Sequence, residues 1–161
     1  MTQASDTDLA WNAFLARRHL SCGPRRAALE LSAERHSVDA NALDVLIAVE
    51  TLARPRLLQW LEFAVFVVLL AVNAARARTM TLGPAQIRVS HAASGSGRML
   101  ARVGLNLMRW ECACERAAEI LAGAPSDEIP DLCRWYNGPR CCNNYKALVL
   151  KLVGYSRPAS V

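Results

Sequence analysis

The chain has 161 residues, of which 53% are hydrophobic and 20% charged, and a formal net charge of +5. That length buries a core without help from metals or disulfides, and the balance excludes a disordered chain. The surplus charge is almost wholly arginine, which suits anionic partners, but no RNP, zinc-finger or helix-turn-helix signature accompanies it, so nucleic acid is not expected as a partner.

Ala, Leu, Val and Arg dominate the composition, which leans helical. The opening residues are polar and acidic before any apolar stretch, the reverse of a secretory leader. Three locations stay open: the cytoplasm, the cell envelope by a non-standard route, or wherever a longer protein carries this piece as an excised domain. Asp6 or Thr7 caps a first helix to about Leu20, which Cys22-Gly23-Pro24 ends, and residues 25–35 form a second, charged helix. Ser37 and Asp39 offer caps for a third, in which apolar residues recur at helical spacing through 40–53.

Pro55 suits the start of a fourth helix running from about Arg56 to Ala77. Its uninterrupted apolar run is too short for a bilayer span, so it reads as the buried central helix of the domain, with membrane association as the alternative. Pro84 then opens a fifth helix, PAQIRVSHAA, ended by SGSG at 94–97. A sixth spans about Arg98 to Leu121, a short one ends at Tyr136-Asn137-Gly138, and a last one covers about Asn143 to Val153. Seven or eight helices and no strand are expected: an all-α, compact domain with N-terminal helices over 1–36, a core over 37–154 and a tail over 155–161.

Six cysteines, at 22, 112, 114, 133, 141 and 142, lack the Cys-x-x-Cys spacing of zinc sites, and the three histidines are scattered. No metal or other cofactor is expected. Reduced thiols are the default, with a bridge between the 112/114 pair and the 133–142 group as the special role they would suit.

Four features carry chemistry. Glu50 ends the apolar turn LIAVE, where burial would raise its pKa toward that of a general acid; the plainer reading is solvent exposure or pairing with Arg54. Glu62 lies inside the long apolar helix, where an ion pair with Arg54 or Arg56 competes with a catalytic role. His91 is a candidate general base or a residue that complements a helix end. Tyr136-Asn137-Gly138 is a helix end whose Gly138 suits a left-handed cap.

In order along the chain, Ala48-Val49-Glu50-Thr51, Thr81-Leu82-Gly83-Pro84-Ala85-Gln86-Ile87 and Tyr136-Asn137-Gly138 followed by Tyr145 resemble the lysozyme-like superfamily, and lytic transglycosylases most. The resemblance covers about residues 38–154. It implies a lysozyme-like fold, peptidoglycan glycan strands as partner, and Glu50 as the single acid/base on the MurNAc–GlcNAc bond. It implies further that Thr81, Gly83, Gln86, Tyr136 and Asn137 bind substrate: Gly83 by close backbone approach to the sugar, Gln86 by an amide in the cleft. Thr51 and Thr81 stand where that family more often has Ser, and 36 positions separate Glu50 from Gln86. That separation is similar to the peptidoglycan glycosyltransferases, whose Asp and double Gln are absent here. A membrane-associated glycosyltransferase-like domain and a non-catalytic helical binding module are the alternative expectations.

Overall fold

A computed structural model describes residues 23–92, 97–138 and 143–154 of the chain. The first expected helix, residues 94–96 of the SGSG segment, Cys22, Cys141, Cys142 and the tail lie outside these described residues. Within them the chain is all-α apart from one small hairpin: α1 (Pro24–His36), α2 (Ala40–Ala53), α3 (Arg56–Val72), α4 (Ala74–Arg78), β1 (Thr81–Leu82), β2 (Ile87–Arg88), α5 (Val89–Ala92), α6 (Gly97–Leu107), α7 (Trp110–Ala122), α8 (Ile129–Asn137) and α9 (Asn143–Gly154).

The centre of the core is α2. Asp39 caps it, its side chain accepting from the Asn41 amide at 2.7 Å. From Ala42 to Val49 every apolar residue is buried, so the helix is hydrophobic on all sides and must be surrounded. Helices α1, α7 and α9 pack around it. The one acid in that run, Asp44, is 1% exposed and is met by Arg26 of α1 at 3.3 Å. Along the seam between α1 and α7, Arg35 and His36 both reach Glu115 at 3.0 Å.

At the end of α2 the chain turns through 80° into α3. Pro55 supplies no N–H and disfavours helix at Arg54, whose φ of −133° is extended. Buried Gln59 closes the corner by donating to the Arg54 carbonyl at 2.7 Å. The expected helix over 56–77 is two helices, broken at Asn73, whose side chain caps α4 by accepting from the Arg76 amide.

Nor is this segment the buried centre of the domain. Only Gln59 and Phe66 of α3 are buried, while Leu57, Trp60, Leu61, Val65, Val68 and Val72 are exposed. The helix touches the body along one edge, where Phe66 seats on Gly104 of α6 so closely that a Cβ there would collide with its ring. No single helix among the described residues is long and apolar enough to cross a membrane.

Two further expectations are corrected. The fifth helix over 84–93 is instead a turn, a strand and one helical turn: β1 pairs antiparallel with β2, Leu82 opposite Ile87, and only Val89–Ala92 is helical. The reason is backbone conformation, since Gly83 at φ 76° and Gln86 at φ 48° both sit in the left-handed region, which no continuing helix admits. The sixth helix breaks into α6 and α7, with Arg109 extended between them at φ −86°, ψ 133°.

Candidate active site

Glu50 lies in the last turn of α2 and is 8% exposed. Its Oε1 is fully buried and has no hydrogen-bond partner among the described residues, and the same holds for the hydroxyl of Tyr145 on α9. Tyr145 and Asn137, the last residue of α8, stand beside the carboxyl, and Arg54 lies near enough for its charge to be felt. Burial lifts the pKa of Glu50 above the ordinary carboxylate value, outweighing the lowering by Tyr145, Asn137 and Arg54. The two tyrosines answer in kind. Burial and the neighbouring Glu50 charge push both Tyr136 and Tyr145 above the usual phenol range, so both hydroxyls keep their protons and remain donors.

The turn at residues 83–86 is fastened to this cluster from two sides. Thr51, the residue after Glu50, donates its hydroxyl to the Pro84 carbonyl at 3.2 Å, and the Tyr136 hydroxyl donates to the Ala85 carbonyl at 2.6 Å. Gly83 is required by its positive φ and by contact, because a Cβ would run into the Leu107 carbonyl. Its close approach is therefore to the break between α6 and α7.

Gln86 is committed inside the protein. Its Nε2 donates to the Gly83 carbonyl at 3.0 Å and to Glu62 at 3.2 Å, while its Oε1 accepts from the Thr81 hydroxyl at 3.0 Å. Glu62 also pairs with Arg54. A polar chain thus runs Arg54–Glu62–Gln86–Thr81 and ties α3 to the hairpin.

The structure brings together Glu50, Tyr136, Asn137 and the turn carrying Gly83, with Gln86 held at the turn's far end by Glu62 and Thr81. Asn137 is exposed, so the cluster meets the surface at the end of α8. Gly138 follows with φ 77° and ψ −173°, a positive φ but not the left-handed helical cap expected. His91 is exposed on α5, and none of the described contacts joins it to Glu50. Tyr145 is the neighbour of Glu50 that residue-by-residue reading undervalued. The signal was its rarity: the chain has three tyrosines, and two of them converge on one carboxyl.

Of the expected cysteine bridge, the part that would use Cys141 or Cys142 lies outside the described residues. Cys112 and Cys114 carry free thiols, so no bridge joins that pair to Cys133. Burial, with Glu111 and Asp44 nearby, pushes the Cys114 thiol up to about 12. Among the described residues no group of His, Cys, Asp and Glu is placed to hold a metal ion. A cavity of about 620 Å³ between α1, α6 and α7 is lined by His36, Cys112 and Glu115 rather than by the Glu50 cluster.

The chain matches no protein-family model, no curated protein and no solved structure.

Proposed function

We propose that this domain cleaves a peptidoglycan glycan strand with Glu50 as its single acid/base. The observation that carries the reading is the Glu50 carboxyl itself, buried at a helix end beside Tyr145 and Asn137, with Oε1 unbonded and its pKa raised. A carboxyl that holds its proton above the ordinary carboxylate range suits protonation of a glycosidic oxygen. The resemblance to lytic transglycosylases supplies the substrate class.

In the proposed reaction the Glu50 proton passes to the oxygen linking MurNAc to GlcNAc, and the bond from that oxygen to the muramyl C1 breaks. The carboxylate left behind then takes the proton of the muramyl 6-hydroxyl as its oxygen bonds to C1, giving the anhydro sugar and restoring the acid. If water attacks in place of the 6-hydroxyl, the same proton transfers give hydrolysis. Asn137 suits contact with an acetamido group, and protonated Tyr145 suits a hydrogen bond to the carboxylate as it forms.

A non-catalytic helical binding module is the competing reading, favoured by the internal commitment of the Gln86 amide. The experiment is digestion of purified peptidoglycan sacculi with mass spectrometry of the soluble products. Wild type is expected to release muropeptides, and Glu50→Gln to release them at least about a hundredfold more slowly. Equal release by both, or none by wild type, contradicts the enzymatic reading.

A further inference from the structure

The outward face of α3 has no polar residue on it. At about 100° per residue, the exposed side chains from Leu57 to Val72 sweep an arc of roughly 180°, and every one is Leu, Val, Ala or Trp. The inward arc, centred on Gln59 and Phe66, is the part held by the body. An unbroken apolar stripe along a helix about 25 Å long exceeds the scattered apolar exposure normal for a monomer surface.

What would cover such a face is decided by the charge around it. Exposed Arg56 stands at one end, and exposed Arg76 and Arg78 at the other. Between Glu62 and Glu111 the sequence holds six arginines and no Asp or Glu. A second copy of the chain laid on this face, parallel or antiparallel, would set arginine against arginine with no acid on the arc to offset them. An anionic lipid surface has neither problem, because it takes the apolar stripe below its headgroups and pairs the arginines at the ends.

We infer that α3 lies flat on anionic bilayers through its Leu57–Trp60–Leu61–Val65–Val68–Val72 face, with Arg56 and Arg76 among the headgroups. The helix is an interfacial anchor rather than a span, and its polar side is replaced by the domain behind it. Trp60, exposed near the amino end of the stripe, occupies the interfacial depth that indole rings favour. Because α3 also carries Glu62, docking would set the Glu62–Gln86 junction, and with it the turn beside Glu50, close behind the membrane surface. The inference stands on the helix alone and does not depend on the proposed glycan chemistry.

The test is co-sedimentation of the full chain with vesicles of phosphatidylcholine alone and of phosphatidylcholine with phosphatidylglycerol. Wild type is expected to sediment with the anionic vesicles far more than with the neutral ones. A triple variant, Leu61→Gln with Val65→Gln and Val68→Gln, is expected to bind at least tenfold more weakly with unchanged circular dichroism, since all three residues face outward. Arg56→Gln with Arg76→Gln is expected to lose about fivefold per arginine on anionic vesicles only. Failure of wild type to bind either vesicle overturns the inference, as does undiminished binding by the triple variant. A wild-type dimer in sedimentation equilibrium that the triple variant abolishes would assign the face to a second copy and overturn it equally.

Discussion

Glu50 destabilises the fold when it is charged, and the direction of that effect with pH is fixed by its raised pKa. The native state holds the Glu50 proton to higher pH than the unfolded chain, whose value is the ordinary 4.5. The stability that the group contributes is therefore fully present below about 4.5 and lost as pH rises through the native value. Glu50→Gln removes the ionisation and keeps the shape. In denaturant titrations at a series of pH values, the variant should match wild type near pH 4 and exceed it by about 1–3 kcal/mol at pH 7. A constant difference at all pH values would show that the carboxyl is not what titrates. The same low-polarity interior accounts for Cys114, whose thiol is shifted to about 12. At pH 8 iodoacetamide should leave Cys114 unmodified in the native protein while half-exposed Cys112 reacts, as read by intact and peptide mass, and prompt labelling of Cys114 would contradict its burial.

Among the elements, the hairpin β1–β2 is the one whose geometry depends most on a single residue. Gly83 combines positive φ with a close approach to the Leu107 carbonyl, so Gly83→Ala should cost about 2–4 kcal/mol in thermal or denaturant unfolding. A loss below about 1 kcal/mol would mean that the turn relaxes without cost. This element also marks where sequence reading succeeds and where it fails. Asp39 as a cap and the helical spacing through α2 are local signals, and local signals are legible. Pro84 followed by AQIRVSHAA carries an equally local helix signal, and it misleads. The left-handed conformation of Gln86 is imposed by partners far away in the chain, Glu62 below its amide and Tyr136 holding Ala85. The break at Asn73 carries a local signal that the sequence reading passes over, since its side chain caps α4 by accepting from the Arg76 amide. For the site, residue types alone leave Glu50, the 83–86 turn and Tyr136-Asn137 as separate structural features. It is the family resemblance that groups them, as the structure does through Thr51, Tyr136 and Asn137. The internal spending of the Gln86 amide was not legible, because it rests on a contact made 24 positions away.

At the scale of the molecule, the 53% hydrophobic content has two destinations. One is the core around α2, and the other is the outer face of α3, which periodicity alone assigns equally well to the inside. Those two helices meet at one corner, where Arg54 pairs with Glu62 while its charge also bears on Glu50. The stretch between Glu50 and Gln86 thus supplies both the apolar face and the acid that holds the hairpin in place. A buried carboxyl whose Oε1 has no hydrogen-bond partner costs stability, and under the proposed function that cost is offset by its use in proton transfer. The most direct test measures both sides of that opposition on one variant at pH 7: the unfolding free energy of Glu50→Gln and its release of muropeptides from sacculi. Under the proposed function, Glu50→Gln is more stable than wild type and essentially inactive. A Glu50→Gln protein that is less stable, or that releases muropeptides at the wild-type rate, would contradict it.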